Sequence, residues 1–182
     1  MKMLTVVLGK TAVADARRWQ AEVLARLATT PNYTGLEAPD RFFHGYLGEL
    51  AVMSLLSELG CVARHVVCTN GHSQHSEITV WRNGAKRSVD VKTASQPGHS
   101  FLLFPVAQHD HPDLYVGARI EMIDERDQRA VISVHGYLSR DEALALPVAS
   151  DLIVPAHKAL LSELHSLLAF ANKADPVFCQ IR

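Results

Sequence analysis

Residues Ser76–Thr93 read SEITVWRNGAKRSVDVKT. At the centre stands Asn83-Gly84, the dipeptide best suited to a two-residue type I′ turn, whose two central residues both need positive φ. The flanks are rich in Val, Ile, Thr and Trp, the residue types strands prefer. The stretch is therefore expected to form a β-hairpin. Glu77 lies six residues before Asn83, and Asp90 lies six after Gly84. In a two-residue hairpin these positions oppose each other, with Cβ atoms about 4.5–5.5 Å apart. Lys92 follows Asp90 by two residues and points to the same side. Ile78, Val80, Val89 and Val91 make the other side, which suits a core.

Two carboxylates that close repel each other unless a shared proton, a cation or water offsets the charge. A hard divalent ion takes oxygen ligands, keeps several waters and binds through one or two carboxylates together with substrate phosphate. A lysine beside such a pair adds a positive charge for a phosphate or a developing anion. The trio suits phosphodiester cleavage. The plainer reading is a solvated hairpin face on which Lys92 serves as the carboxylates' partner.

The rest of the chain frames this hairpin. Its 182 residues suit one domain with a real core. Apolar content of 48% and charged content of 20% are those of a soluble globular protein. A net charge of −1 gives no global signal for nucleic acid, so binding would need a local patch. Arg82, Lys86 and Arg87 on the hairpin, with Arg41 further upstream, supply the candidates for contacts to DNA phosphates, which are salt-dependent. The three cysteines, Cys61, Cys68 and Cys179, are odd in number and not closely paired, which points to reduced thiols and a cytoplasmic protein. The N-terminal MKMLTVVLGK has too short an apolar run for a signal peptide, and nothing approaches the roughly 18 apolar residues of a membrane span.

Leu4–Leu8 is a short strand or an apolar lead-in. Residues 11–29 show a helical stripe of Ala12, Ala16, Trp19, Val23 and Leu27, with Arg17 and Arg18 on the solvated side. A loop follows to Asp40. A second helix is expected from Arg41 to Leu59, ended by Gly60, with Val52, Leu55, Leu56 and Leu59 on its apolar face. Glu49 lies at the margin of that face, where a carboxylate must be paired, coordinated or protonated. Cys61–Cys68 reads as a strand, and the loop after it carries His72 and His75. Downstream, Phe101–Phe104 is an apolar run and QHDHP places His109 and His111 at alternate positions. Asp113–Met122 and Arg129–Leu138 read as strands joined by DERDQ. Ser139 and Glu142 form a capping box. Pro155 opens a last helix to Asn172, with Leu160, Leu161, Leu164, Leu167 and Leu168 as core or, in a second reading, as a homodimer seam.

The order of helical Gly48-Glu49, a strand, an acid at a strand end (Glu77) and then Asp90-Val91-Lys92 resembles the PD-(D/E)xK nuclease superfamily, in its phage or resolvase-type members. The triplet is short, and the combination carries the resemblance. It covers Phe43–Thr93 closely and the later strands more loosely. It implies an α/β fold of restriction-endonuclease-like type: a mixed central sheet flanked by helices. Residues 1–40 would be an extra N-terminal helical extension, 41–138 the core and 139–182 C-terminal helices. It implies a Mg²⁺- or Mn²⁺-dependent deoxyribonuclease, endonuclease in preference to exonuclease. Glu77 and Asp90 would hold the metal, with the Val91 carbonyl as a further oxygen ligand. Lys92 would orient the attacking water, and Glu49 would act through a water or a second ion. Cutting both strands would favour a homodimer. The chain departs from the family at Ser76-Glu77, where an Asp, often preceded by Pro, is usual. This departure motivates the alternative of a catalytically inactive nucleic-acid-binding or assembly module.

Overall fold

The computed structural model describes residues 3–29, 39–67, 76–82, 84–106, 111–149 and 155–171, without the side chains of residues 66, 67, 76, 77, 170 and 171. The elements run β1 (Leu4–Leu8), α1 (Lys10–Ala28), α2 (Asp40–Glu58), β2 (Val62–Val67), β3 (Ser76–Arg82), β4 (Ala85–Ala94), β5 (Phe101–Pro105), β6 (Leu114–Asp124), β7 (Arg129–Ser139), α3 (Arg140–Ala145), β8 (Val148–Ala149), β9 (Ala156–Leu160) and α4 (Leu167–Ala171). The protein is a mixed α/β structure. Six strands form one sheet in the order β1-β7-β6-β4-β3-β2, and β5-β9-β8 form a second. The pairing of β4 with β6 is parallel, and the other neighbours in both sheets are antiparallel. Among the described residues no helix is long and apolar enough to cross a membrane.

Strand alternation divides the large sheet between two cores. Ile78, Val80, Val89, Val91, Val116, Ala118 and Ile132 join Val13 and Ala16 of α1 and Phe43, Leu47, Val52 and Leu56 of α2. Each large aliphatic side chain buried here contributes about 1.5–3 kcal/mol. Ala94, Tyr115 and Leu138, on the other side, pack with Leu102 and Phe104 of β5, Ala159 of β9, and Leu161 and Leu164 beyond it. Gly117 and Gly136 face each other across β6 and β7 and make room for this layer. A Cβ on Gly117 would meet Leu164 at 2.4 Å, and one on Gly136, whose φ is +152°, would meet the His165 carbonyl at 2.0 Å. His165 and Tyr137 exchange backbone hydrogen bonds of 2.9 Å at that crossing.

Three expectations change. The N-terminal region is no appendage to the sheet, because β1 pairs with β7 over Leu4–Leu8 as an edge strand. Arg17 of α1, expected to be solvated, reaches Asp40 at 3.1 Å and Glu125 at 2.9 Å and lies over the Phe43 ring, its guanidinium carbon 3.6 Å from the centroid. The helix expected from Pro155 to Asn172 is instead β9, a 3-10 turn at Leu161–Glu163 and, after a break, the short α4. Pairing of β9 with β5, Phe101 opposite Leu160, overrides the helical spacing of the leucines. Leu161, Leu164 and Leu167 are spent on the two internal cores and Leu160 is 41% exposed, so the five do not form one seam.

Candidate functional site

The hairpin has the expected register. Ile78 opposes Val89 and Arg82 opposes Ala85, and Gly84 has a φ of +82°. Glu77 and Asp90 each stand one residue beyond the Ile78–Val89 end of that pairing. The Glu77 side chain and Asn83 lie outside what is described, as do His72, His75 and His109.

Asp90 and Lys92 point away from α2. They share the parity of Ala94, which belongs to the second core, whereas Val89 and Val91 belong to the first. The plainer sequence reading made this a solvated face. On it Asp90 is 7% exposed, and the Lys92 side chain 21%. Lys92 Nζ lies 2.7 Å from Asp90 Oδ2. The contact is an ion pair by distance, but its angles leave Oδ2 buried without a hydrogen bond. A carboxylate so placed needs its positive neighbour, since an uncompensated buried charge costs several kcal/mol. Parallel pairing fixes what lies beside it: Asp90 is in register with Tyr115 of β6. Ser88 secures that pairing. Its amide and hydroxyl donate to Asp113 Oδ2 at 2.8 and 3.1 Å, and the Asp113 amide donates to Ser88 Oγ at 2.9 Å.

Glu49 stands elsewhere. It is 6% exposed on α2, on the helix side of the sheet, and its Oε2 is hydrogen-bonded to His65 Nε2. His65 pairs with Ile78 and so shares the face of the first core. Tyr46 completes this group: its ring meets His65 edge-on at 5.0 Å and stacks on Trp19 at 4.7 Å. Burial pushes the Tyr46 hydroxyl above its ordinary range, and the Glu49 charge adds to the effect. The structure thus brings Asp90 and Lys92 together and sets Glu49 across the sheet from them. What joins the two sides is Gly48. A Cβ there would lie 2.0 Å from Thr93 Oγ1, so the glycine lets α2 sit directly on β4 one residue past Lys92.

The hairpin cations also divide. Lys86 is exposed and shares the parity of Asp90 and Lys92, whereas Arg87 and Arg82 are on the side of Val89 and Ile78. Arg41, exposed in the first turn of α2, places its guanidinium 4.7 Å from the Phe42 ring centroid. His65 escaped the sequence reading, although the alternation of β2, Ala63 and His65 on one side and Arg64 on the other, carried the signal.

Among the described residues no three His, Cys, Asp or Glu side chains converge as a metal centre. The described donor that a divalent cation would find here is Asp90, whose Oδ2 is buried without a hydrogen bond; the carboxylate expected beside it, that of Glu77, lies outside the described side chains. An oxygen donor of this kind suits a hard cation that takes its remaining ligands from water and phosphate. Compared with known proteins, the chain matches no family model, no curated protein and no solved structure.

Proposed function

We propose that the protein is a metal-dependent DNA nuclease acting through the face of the β3–β4 hairpin that carries Asp90 and Lys92. The observation that carries this reading is the ion pair of buried Asp90 with partly buried Lys92, at 2.7 Å, on the strand that pairs with β3 from the residue after Glu77 onward. A buried charge pair at the rim of an apolar core is costly to maintain. Function is a reason to keep it. The restriction-endonuclease-like arrangement, the cytoplasmic location and a homodimer able to cut both strands belong to the same reading.

Glu77 and Asp90, with the Val91 carbonyl, would hold Mg²⁺ or Mn²⁺, which when bound supplies Lewis acidity and a more acidic water. The protein's own contribution is position and charge. Asp90 holds Lys92 beside it, and Lys92 orients the attacking water and offsets charge on the scissile phosphate. The water gives up a proton to solvent and its oxygen bonds to phosphorus as the bond from phosphorus to the 3′-oxygen breaks; that oxygen takes up a proton from solvent, leaving 5′-phosphate and 3′-hydroxyl ends. Lys86, exposed on the same side, is placed for a backbone phosphate.

The test is cleavage of duplex, branched and single-stranded DNA with Mg²⁺ or Mn²⁺ by wild type, Asp90→Ala and Lys92→Ala, each checked for folding. Loss of cleavage in both variants is expected. Cleavage retained in both ends the assignment. A second reading, a catalytically silent DNA-binding or assembly module, is favoured by Glu49 standing across the sheet from Asp90. It predicts salt-sensitive DNA binding without metal-dependent turnover.

A further inference from the structure

The face that carries Asp90 and Lys92 holds a second group of polar side chains, contributed by separate elements. His111 Nδ1 lies 2.7 Å from the Tyr115 hydroxyl. Tyr115 is fully buried and in register with Asp90. The chain just after His111 is pinned. Arg140, the first residue of α3, donates from Nε to the Pro112 carbonyl at 3.1 Å and pairs with Asp113 at 3.4 Å, and Asp113 is bonded in turn to Ser88 of β4. On β9, His157 is buried with Nδ1 donating to the Leu146 carbonyl at 2.7 Å. His111 itself is only partly buried. The imidazole is therefore held at the rim of the site by a buried phenol.

We propose that His111, braced by Tyr115, is a phosphate-contacting residue of this site, and that it takes a proton from solvent as a DNA phosphodiester settles beside Lys92. The inference rests on the nuclease reading and deepens it. Tyr115 on β6 contacts His111, and Arg140 on α3, His157 on β9 and Lys92 on β4 lie near enough for their charges to act on it. Three of them are cationic or can become so, and Arg140 is partly neutralised by Asp113. Burial, and then the charges of Arg140, His157 and Lys92, hold the imidazole below its ordinary pKa. The free protein thus carries His111 neutral near pH 7. An anion entering among these groups reverses the balance, because a nearby negative charge favours the protonated ring. A phosphodiester has the charge and the acceptor oxygens to do so.

The probe is a short fluorescein-labelled DNA duplex in EDTA, which separates binding from cleavage. Its anisotropy is followed from about pH 5.5 to 8 with wild type, His111→Gln and Tyr115→Phe, around the ordinary imidazole value. Wild-type affinity is expected to fall as pH rises, by up to about tenfold per unit, the limit for one proton. His111→Gln should flatten that dependence, and Tyr115→Phe, which keeps the buried ring, should weaken binding at the low-pH end. A His111→Gln protein that keeps the wild-type slope overturns the inference, and so does wild-type binding that is absent or independent of pH. The nuclease reading is judged separately, by whether Asp90→Ala abolishes metal-dependent cleavage, so each idea fails on its own evidence.

Discussion

Gly48→Ala tests the contact that relates α2 to the strand of the candidate site. In an ordinary helix interior the change would gain about 1 kcal/mol, since alanine is the better helix former. Here the added Cβ would lie 2.0 Å from Thr93 Oγ1 and 3.1 Å from both Thr93 Cβ and Cγ2. The first distance is far inside van der Waals contact, so helix or strand must move, and overpacking costs about 1–3 kcal/mol, here in the upper part of that range, about 2–3. The net expectation is a loss of about 1–2 kcal/mol. With a urea slope of roughly 2 kcal/mol per molar, the unfolding midpoint should fall by about 0.5–1 M. Thr93→Ala removes the two clashing atoms beyond Cβ, one of them a buried hydroxyl without a hydrogen bond. In that background Gly48→Ala should lose most of its cost, a coupling of about 1–2 kcal/mol in a double-mutant cycle. The assay is urea unfolding followed by circular dichroism on all four proteins. A Gly48→Ala protein as stable as wild type, or additive effects in the cycle, would refute the placement of α2 on β4.

Glu49→Gln should lower stability by about 1–2 kcal/mol, because the charged partner of His65 is lost, while metal-dependent cleavage stays near wild type; a loss as deep as that of Asp90→Ala would return Glu49 to the site. Ser139→Ala removes the cap of α3 and should cost about 1 kcal/mol at neutral pH by thermal unfolding. Burial pushes the Glu142 carboxyl up, but the Ser139 hydroxyl and amide and His165 outweigh it and hold it below 4.5. A carboxyl depressed on folding stabilises above its unfolded pKa and ceases to as pH falls through the folded one, so the Ser139→Ala deficit should shrink below about pH 4.5; a deficit constant to pH 3 would deny the coupling. Burial also holds His44, His111 and His135 below the ordinary 6.5. The unfolded chain then takes up protons first, so Tm should decline as pH drops below about 6.5, and a flat or rising Tm from pH 7 to 5.5 would contradict it.

The hairpin was legible because its signals are local. Asn83-Gly84 limits the turn, alternation assigns the faces, and the two together fix the register from Ile78–Val89 to Arg82–Ala85. The capping box of Ser139 and Glu142 was legible for the same reason. The segment after Pro155 was not. Its leucines have helical spacing, yet what decides its conformation is the open edge of β5, some fifty residues earlier in the chain. No window on the segment itself contains that strand.

Glu49 shows where a sequence motif and a site part company. Its place at the edge of the apolar face of α2 was readable, and so was its need for a partner. Which partner was not, because that depends on which side of the sheet α2 covers. Gly48 against Thr93 settles the matter: the helix lies over the face opposite Asp90 and Lys92, and the carboxylate next to that glycine meets His65 instead. Period-2 geometry then makes the consequence hard to avoid. A residue on the helix side joins the Asp90 group only by passing a strand edge, whereas the parallel neighbour of β4 brings Tyr115, and through it His111, to that group directly. If this chain cuts DNA, the fourth polar position of its site belongs to β6 and its approach, not to α2.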